Sequence, residues 1–187
     1  TIPVDTPYIL PNKELTGIWE GQIIKDGRIN IGIVWAGHPD HKNDANRSIR
    51  LSHFLPLKDI EGVRLLCLQK EKYDVWTDMK PELLFEKDLG SRVSDFADTA
   101  AAIEHLDLVI SVDTAVAHLA GGMGKQVWTL LPFSPDWRWM IERDDSPWYP
   151  SMKLFRQHSP GDWTSVFKKV KEELVKQVEN KTGRSIL

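Results

Sequence analysis

The amino-acid sequence predicts an α/β domain of the Rossmann type, in which a parallel sheet carries helices on both faces. Short apolar runs typical of strands alternate with segments of helical periodicity along most of the chain. The strand-like runs are apolar throughout, as expected for parallel strands that are covered on both faces. A chain of 187 residues has room for one such domain with a single core.

The first part of the chain has a different character. Residues 1–28 are rich in proline and glycine and show no sustained hydrophobic period. We therefore predict an extended arm or inter-domain linker over residues 1–28 and a Rossmann-like domain over residues 29–187. Trp19 and the Ile23-Ile24 pair are expected to dock the arm. The chain begins at Thr1 without a methionine, which we interpret as the sign of a fragment or a processed chain.

The strands are predicted from runs of β-branched and other apolar residues. Because ligands in open parallel sheets bind beyond the carboxyl ends of the strands, the loops at 36–48, 69–72, 113–118 and 132–148 are the candidate site segments. Segment 69–96 has the weakest pattern of the chain. The expected strands lie at 29–35, 63–68, 108–112, 126–131 and 153–156.

The helices are predicted from capping residues followed by apolar periodicity. Ser52 is expected to cap a short helix that runs to Asp59, and Asp98 an alanine-rich helix that runs to His105. Another helix starts at 113–114 and ends near 121–122. Asp162 is expected to cap a closing helix whose apolar stripe indicates a packed surface helix and not a membrane binder.

Composition excludes several classes of function. The formal net charge is −3 and both signs are interspersed, so there is no basic stripe that could neutralise nucleic-acid phosphates. Cys67, the only cysteine, lies inside an apolar run and is read as a buried hydrophobe. No apolar run approaches the length of a membrane span, and no signal-peptide pattern is present. We expect a cytoplasmic protein with no nucleic-acid partner and no membrane span.

The most informative segment is 109–119, where an apolar strand runs directly into a helix. Helix N-termini bind anions, and Asp113 and Thr114 stand at this one. Ala115 and Ala117 leave room for a diphosphate to approach. The alternative is that Asp113 and Thr114 only cap the helix and that His118 packs against the sheet. The two interpretations are compatible.

The loop after the first strand, 36–48, offers cationic side chains. Lys42 and Arg47 could each reach phosphate oxygens. His38, His41 and Asp44 could suggest a metal site, but nothing else in the chain supplies a convincing fourth ligand. We therefore expect neither a metal nor a cofactor.

The connection 131–150 concentrates three tryptophans and two arginines, Arg138 among them. Aromatic rings can stack on a sugar or base and arginine can clamp phosphate, but the same residues could form a hydrophobic cluster that pins a long loop. The glycines at 121–124 end a helix and do not open one, and no GxGxxG follows a strand, which argues against a nicotinamide dehydrogenase. No serine nucleophile elbow is evident.

Several short motifs together resemble a known family. They look like the carboxyl-terminal domain of bacterial TPR-repeat proteins that carry a glycosyltransferase domain similar to the ADP-heptose heptosyltransferases of glycosyltransferase family 9. The resemblance covers roughly residues 30–175. Its motifs are Val34-Trp35-Ala36-Gly37, Phe54-x-Pro56-Leu57, Leu68-Gln69-Lys70, Asp95-Phe96-x-Asp98-Thr99-Ala100, Val112-Asp113-Thr114-x-x-x-His118-Leu119-Ala120-Gly121, Pro135-Asp136-Trp137-Arg138-Trp139 and Ser146-Pro147-Trp148-Tyr149-Pro150.

The resemblance implies one half of a GT-B enzyme, the half that binds the nucleotide-diphosphate sugar, with ADP-type donors favoured. The implied reaction is a metal-independent, inverting sugar transfer. This chain has Ala115 where the family pattern has glycine, and Arg47 where it has a lysine. The implied substrate-binding residues are Asp113 and Thr114 for the diphosphate and sugar, His118 to support them, Arg47 for phosphate, and Gln69 with the backbone near Asp95 and Phe96 for the base and ribose.

In the family the general base belongs to the amino-terminal domain, and an inverting transfer needs a carboxylate to accept the acceptor's proton. We therefore expect no catalytic residue in this chain, the amino-terminal domain of the same protein as its partner, and nucleotide binding without catalysis by the fragment alone. Two alternatives remain: a non-catalytic protein-interaction module with a degenerate GT-B domain, and a GT-B-like nucleotide-sugar epimerase.

Overall fold

The computed structural model describes residues 5–183 and confirms the α/β class. It contains one sheet of six strands in the order β3-β2-β1-β4-β5-β6, in which every neighbouring pair is parallel. This is the strand order of doubly wound dinucleotide-binding folds. The strands are β1 (Ile29–Val34), β2 (Val63–Cys67), β3 (Lys87–Asp88), β4 (Leu108–Val112), β5 (Val127–Leu131) and β6 (Met152–Arg156).

Helices cover both faces of this sheet. Among those in residues 5–183, none combines the length and the apolar character that a membrane span requires. The α-helices are α1 (Lys13–Trp19), α2 (Asp44–Arg47), α3 (Leu55–Lys58), α4 (Phe96–Glu104), α5 (Ala115–Gly122) and α6 (Trp163–Thr182), and 3-10 turns occupy Leu51–Phe54, Pro81–Leu83, Gly90–Arg92 and Trp137–Trp139.

The sheet separates two hydrophobic layers, and the side chains of β1 contribute to both of them. Ile31 and Ile33 point into the layer that α6 closes with Val170 and Leu174. Val34 points to the opposite layer, which contains the alanines of α4 and α5. All six residues of β1 are buried. This confirms the prediction that the apolar runs are parallel strands covered on both faces.

The structure contains two elements that the sequence did not predict. Strand β3 lies in the segment with the weakest pattern; it is only two residues long and both are charged, so it has no hydrophobic signature. Helix α1 lies within the segment expected to be extended. Asn12 caps it by accepting hydrogen bonds from the amides of Glu14 and Leu15, and proline and glycine nearby mask this signal.

Two predicted caps were wrong, and one is confirmed. Ser52 does not begin a helix; it lies inside a 3-10 turn and its hydroxyl donates to Asp78 at 2.7 Å. Helix α4 begins at Phe96, because Asp95 and not Asp98 is the cap: its carboxylate accepts from the Asp98 amide. An Asp-x-x-Asp spacing offers two candidate caps, and the sequence alone does not separate them. Asp162 caps α6 as predicted, accepting from the Ser165 amide at 3.0 Å.

The described part of the arm packs on the domain. Trp19 and Ile23 are buried in the same layer as the alanines of α4, as predicted. The prediction was wrong for Ile24, whose side chain is 61% exposed. At the start of this part, the amides of Tyr8 and Ile9 both donate to the Gly122 carbonyl at the end of α5. The described part of the arm therefore contributes to the core.

Arg64 on β2 fixes the other end of the arm. Its side chain is only 3% exposed and pairs with Asp26 at 2.7 Å. It donates to the Ile24 carbonyl at 2.6 Å and to the Asn30 side-chain oxygen at 3.0 Å. Arg28 pairs with Asp26 as well, but its side chain is 34% exposed.

Replacement of Arg64 by alanine is expected to lower the free energy of unfolding by about 2 kcal/mol, because the Asn30 side-chain oxygen loses its donor and the Ile24 carbonyl keeps only the Asn30 side-chain nitrogen. The matched control, Arg28→Ala, removes a more exposed cation from the same carboxylate and should cost less than about 1 kcal/mol. Urea denaturation measures both values. Equal losses in the two variants would contradict the view that Arg64 anchors the arm.

Candidate functional site

The carboxyl ends of β1 and β4 form the topological switch point of the sheet. The two strands are neighbours, yet the chain leaves β1 towards β2 and leaves β4 towards β5 on the other side. The loops after them diverge, and such a divergence opens a crevice in doubly wound sheets. Two cavities lie in this crevice.

The first, here called the apolar cavity, has a volume of about 390 Å³. It lies between the end of β1, the turn after β2 and the starts of α4 and α5. Phe96 stands at its rim, 59% exposed. A cavity of this size, apolar with a few polar groups, is typical of small-molecule sites. Its lining includes Val34, Leu68, Val93, Phe96 and Val116, with Gln69 and Asp95 as polar members.

The second, here called the polar cavity, has a volume of about 770 Å³. Arg47, Thr114 and Ala115 line both cavities, so the two meet above the first turn of α5. The crevice is therefore one cleft with an apolar and a polar end. The polar cavity is also lined by Asn43, Asn46, Asp113, His118 and Arg138.

Arg47 stands at the junction of the two cavities and is held from two sides. Its Nη1 donates to the Asp113 carbonyl at 2.8 Å, and its Nε donates to Asp44 at 3.2 Å. Asp44 is buried and also accepts from the Ser48 hydroxyl at 2.8 Å. The Arg47 side chain is 13% exposed, and its guanidinium is thus fixed before any ligand arrives. Lys42, the other cation considered in this loop, is exposed.

Gly37 makes the position of Arg47 possible. A Cβ at residue 37 would overlap the Arg47 guanidinium. The Gly37 amide also donates to the Ser48 hydroxyl at 2.9 Å, which places the turn after β1 against the same hydrogen-bonded group. The loop 36–48 is therefore organised around the arginine.

The residues considered for a metal have other contacts. Asp44 anchors Arg47, while His38 is exposed and lies 3.6 Å from Asp40. The Nδ1 of His41 accepts from the Asn43 amide. Within residues 5–183, no group of three or more His, Cys, Asp or Glu side chains has an arrangement suited to a metal ion.

Helix α5 points its amino terminus at the junction of the cavities. Thr114 occupies the cap position, but its hydroxyl lies 3.0 Å from the Ser111 hydroxyl instead of accepting from a helix amide. The amides of Ala117 and His118 donate to the Thr114 carbonyl. The amides of Ala115 and Val116 are then the first-turn donors for which the helix supplies no acceptor. Such donors, with the helix dipole behind them, attract anions.

Asp113 and His118 form a cluster at the polar end. The imidazole Nε2 lies 3.7 Å from the Asp113 carboxylate, and the ring stacks on Trp139 with centroids 5.1 Å apart. Burial alone would raise the pKa of Asp113. The nearby His118 imidazole, Trp139 indole and Arg47 guanidinium outweigh burial and lower this pKa below its ordinary value. Asp113 is therefore a carboxylate at neutral pH.

Gln69 lines the apolar cavity, but its amide is committed to the protein. The side-chain oxygen accepts from the amides of Trp35 and Ala36, both at 3.1 Å, and the side-chain nitrogen donates to the Ala36 carbonyl. Gln69 thus holds the turn after β1. Asp95 lines the same cavity while it caps α4.

Arg138 lies on the opposite wall of the polar cavity. Its guanidinium is 3.1 Å from Asp136 and stands over the Trp137 ring at 5.8 Å. Trp137 is 74% exposed, whereas Trp139 is fully buried. The Trp148 indole donates to the Arg138 carbonyl at 2.9 Å. Segment 131–150 therefore contains both a buried aromatic cluster around Trp139 and an exposed wall formed by Trp137 and Arg138.

One contact of the site could not be predicted from the sequence. The Tyr149 hydroxyl lies 2.9 Å from Nδ1 of His118. The sequence shows Tyr149 only as part of a motif, because a separation of 31 residues from His118 gives no local sign of contact.

The comparisons with known proteins agree with this architecture. The heptosyltransferase II of Escherichia coli, described as an ADP-heptose LPS heptosyltransferase, superposes with a TM-score of 0.61 at 16% identity over 97% of this chain and 56% of the enzyme. A glycosyltransferase of family 9 from Veillonella parvula superposes with a TM-score of 0.61 at 14% identity over 92% of this chain and 52% of that protein. The chain thus has the fold of one half of a GT-B glycosyltransferase, similar to family 9.

Among curated sequences, the chain is similar to Protein FlbA of Caulobacter vibrioides, with 27% identity over 175 residues. That match covers 86% of this chain but 28% of FlbA, so the chain spans under a third of this relative. No protein-family model matches the chain.

The lowered pKa of Asp113 implies that the free energy of unfolding depends on pH in the acid range. The folded state favours the ionised form, so its contribution is present above the ordinary aspartate pKa of about 4 and is lost as the pH falls through the lower folded value. Asp113→Asn should be less stable than the wild type at pH 7, and the difference should narrow towards pH 3.

Urea denaturation at several pH values measures this difference. The control is Asp40→Asn, which alters an exposed carboxylate outside the cluster and should leave the unfolding free energy unaltered. A wild-type advantage over Asp113→Asn that stays constant from pH 7 to pH 3 would show that the charge of Asp113 is not stabilised by its neighbours.

Proposed function

We propose that this chain binds the nucleotide-diphosphate-sugar donor of a glycosyltransferase. One observation carries the proposal. A fixed guanidinium, Arg47, stands beside the first turn of α5 at the junction of an apolar and a polar cavity. Cationic and amide donors that converge there suit a diphosphate, and the two cavities suit the different groups on its two sides.

The direction of the donor follows from the character of the cavities. The base and ribose would occupy the apolar cavity, where Phe96 and Val116 offer apolar contact and Asp95 a hydrogen-bond acceptor. The diphosphate would lie over Ala115 and reach Arg47. The sugar would extend into the polar cavity towards Asp113, His118 and Arg138, since hydroxyl groups need hydrogen-bonding partners.

The comparisons support an adenine nucleotide and a larger parent protein. One structural neighbour is described as an ADP-heptose transferase, and the chain matches only about half of it. We therefore propose that the amino-terminal half of the same protein completes the cleft and supplies the base for an inverting, metal-independent transfer. The chain would then bind donor without catalysis by itself. We also propose that the parent protein contains TPR repeats.

An NMR titration of the 15N-labelled chain with ADP, UDP and GDP tests the proposal. Saturable shifts are expected at the amides of Ala115 and Val116, with ADP binding most tightly. Arg47→Ala should weaken binding tenfold or more, because a hydrogen bond to a charged group contributes about 1.5–3 kcal/mol. The matched control is Arg50→Ala, an exposed arginine three residues further on, which should bind like the wild type.

If none of the three nucleotides shifts any amide, the chain does not bind the donor by itself and the interaction-module alternative gains support. Equal weakening by Arg47→Ala and Arg50→Ala would mean that only general charge matters. An epimerase would give the same titration, so product analysis on the full-length protein must separate transfer from isomerisation of the sugar.

Gly37 provides a second test that leaves the arginine itself in place. Gly37→Ala should push the guanidinium away from the Asp113 carbonyl and weaken ADP binding to a similar extent as Arg47→Ala. The same titration measures the effect. Gly17→Ala is the control, since a Cβ at residue 17 meets no atom within 4 Å among the described residues. Unchanged affinity in Gly37→Ala would show that binding does not need the observed position of Arg47.

A further inference from the structure

We propose that Tyr149 is a positioning residue for His118: its phenol donates to Nδ1 and so fixes the imidazole with its hydrogen on Nε2, directed at Asp113 and the polar cavity. The role of that hydrogen in binding rests on the proposed function. The arrangement of the ring does not, because it follows from contacts within the protein.

The contacts of the ring select this tautomer. A neutral imidazole has one nitrogen that donates and one that accepts. Nε2 faces the Asp113 carboxylate, which attracts the hydrogen to that side. Nδ1 is then the acceptor, and the Tyr149 hydroxyl at 2.9 Å is the donor beside it. Stacking on Trp139 holds the plane of the ring.

Tyr149 is suited to remain a donor. It is 8% exposed. Burial and a side-chain hydrogen bond with Tyr8 raise the pKa of Tyr149 above its ordinary value, and the charge of Arg138 opposes this only in part. The phenol therefore keeps its hydrogen throughout the neutral range. Because the Tyr149 phenol has one hydrogen, its donation to Nδ1 of His118 requires the Tyr8 hydroxyl to be the donor in the bond between the two phenols.

The position of Tyr149 depends on close packing against α5. A Cβ at residue 121 would lie 2.6 Å from Cγ of the Tyr149 ring, so only glycine allows this approach. The Tyr149 amide donates to the Ser146 hydroxyl at 3.3 Å. Helix α5 thus packs against the Tyr149 ring, and the Ser146 hydroxyl holds the Tyr149 backbone.

The tautomer decides what the polar cavity offers a ligand. With the hydrogen on Nε2, His118 presents a donor to a phosphate or sugar oxygen near Asp113. The opposite tautomer would present a lone pair, which repels a phosphate oxygen and could only accept from a sugar hydroxyl. Asp113 thus orients Nε2 and Tyr149 orients Nδ1 of the same ring. Neither residue needs to move when the nucleotide sugar binds.

The experiment reads the ring nitrogens directly. Long-range 1H–15N NMR spectra of the nucleotide-free chain at about pH 8, where imidazoles are neutral, report which nitrogen carries hydrogen. His118→Gln assigns the signal among the six histidines. We expect hydrogen on Nε2 in the wild type. In Tyr149→Phe the Nδ1 signal should move towards that of an unbonded ring nitrogen. Affinity for ADP-heptose, whose sugar would face His118, should fall about fivefold, as for one lost hydrogen bond.

Tyr73→Phe is the matched control. It also removes a phenol hydroxyl from the cleft, but that hydroxyl bonds to Glu71 and its ring approaches His38. The His118 signals should stay unchanged in this variant. Backbone spectra of Tyr149→Phe outside the cluster should match the wild type, since phenylalanine keeps the ring that packs on Gly121.

Hydrogen on Nδ1 in the wild type would overturn the proposal, as would an unchanged Nδ1 signal in Tyr149→Phe. The spectra need no nucleotide, so they separate this inference from the proposed function. If the wild type fails to bind ADP-heptose, the role in binding is overturned, whereas the tautomer is still decided by the spectra.

Discussion

The hydrogen bond from Arg47 to the carbonyl of Asp113 holds the two halves of the switch point together. The arginine belongs to the loop after β1 and the carbonyl to the loop after β4, and these loops diverge in the chain's topology. Asp44 and Ser48 orient the guanidinium, while Gly37 leaves it the space. This contact lies where the apolar and polar cavities meet, because Arg47 lines both of them.

The same contact places charge where water has limited access. Burial of a cation is costly unless an anion compensates it, and Asp44 supplies that anion on the side away from the cleft. The remaining donors of Arg47 and the first amides of α5 then face the opening. In the polar cavity, the His118 imidazole lies 3.7 Å from the Asp113 carboxylate and is held by the Trp139 and Tyr149 rings. The cleft is thus organised by the protein before a ligand enters.

The sequence predicted the parts of this architecture that depend on local pattern. The apolar runs gave the five longer strands, and the junction at Asp113-Thr114 gave the start of α5. Strand β3 could not be predicted because two charged residues have no periodicity, and its pairing is decided by β2. The loops 36–48 and 113–118 do meet in space, as the parallel sheet required. The commitment of the Gln69 amide to the turn at Ala36, and the contact of Tyr149 with His118, depend on tertiary packing that no local pattern records.

Helix α5 is in contact with other parts of the protein at both ends. Its first turn faces the cleft, and at its last turn the Gly122 carbonyl accepts the amides of Tyr8 and Ile9. The arm and the cleft therefore contact opposite ends of the same helix. A displacement of the arm at Tyr8 and Ile9 and a change at the first turn of α5 would therefore act on one helix of eight residues.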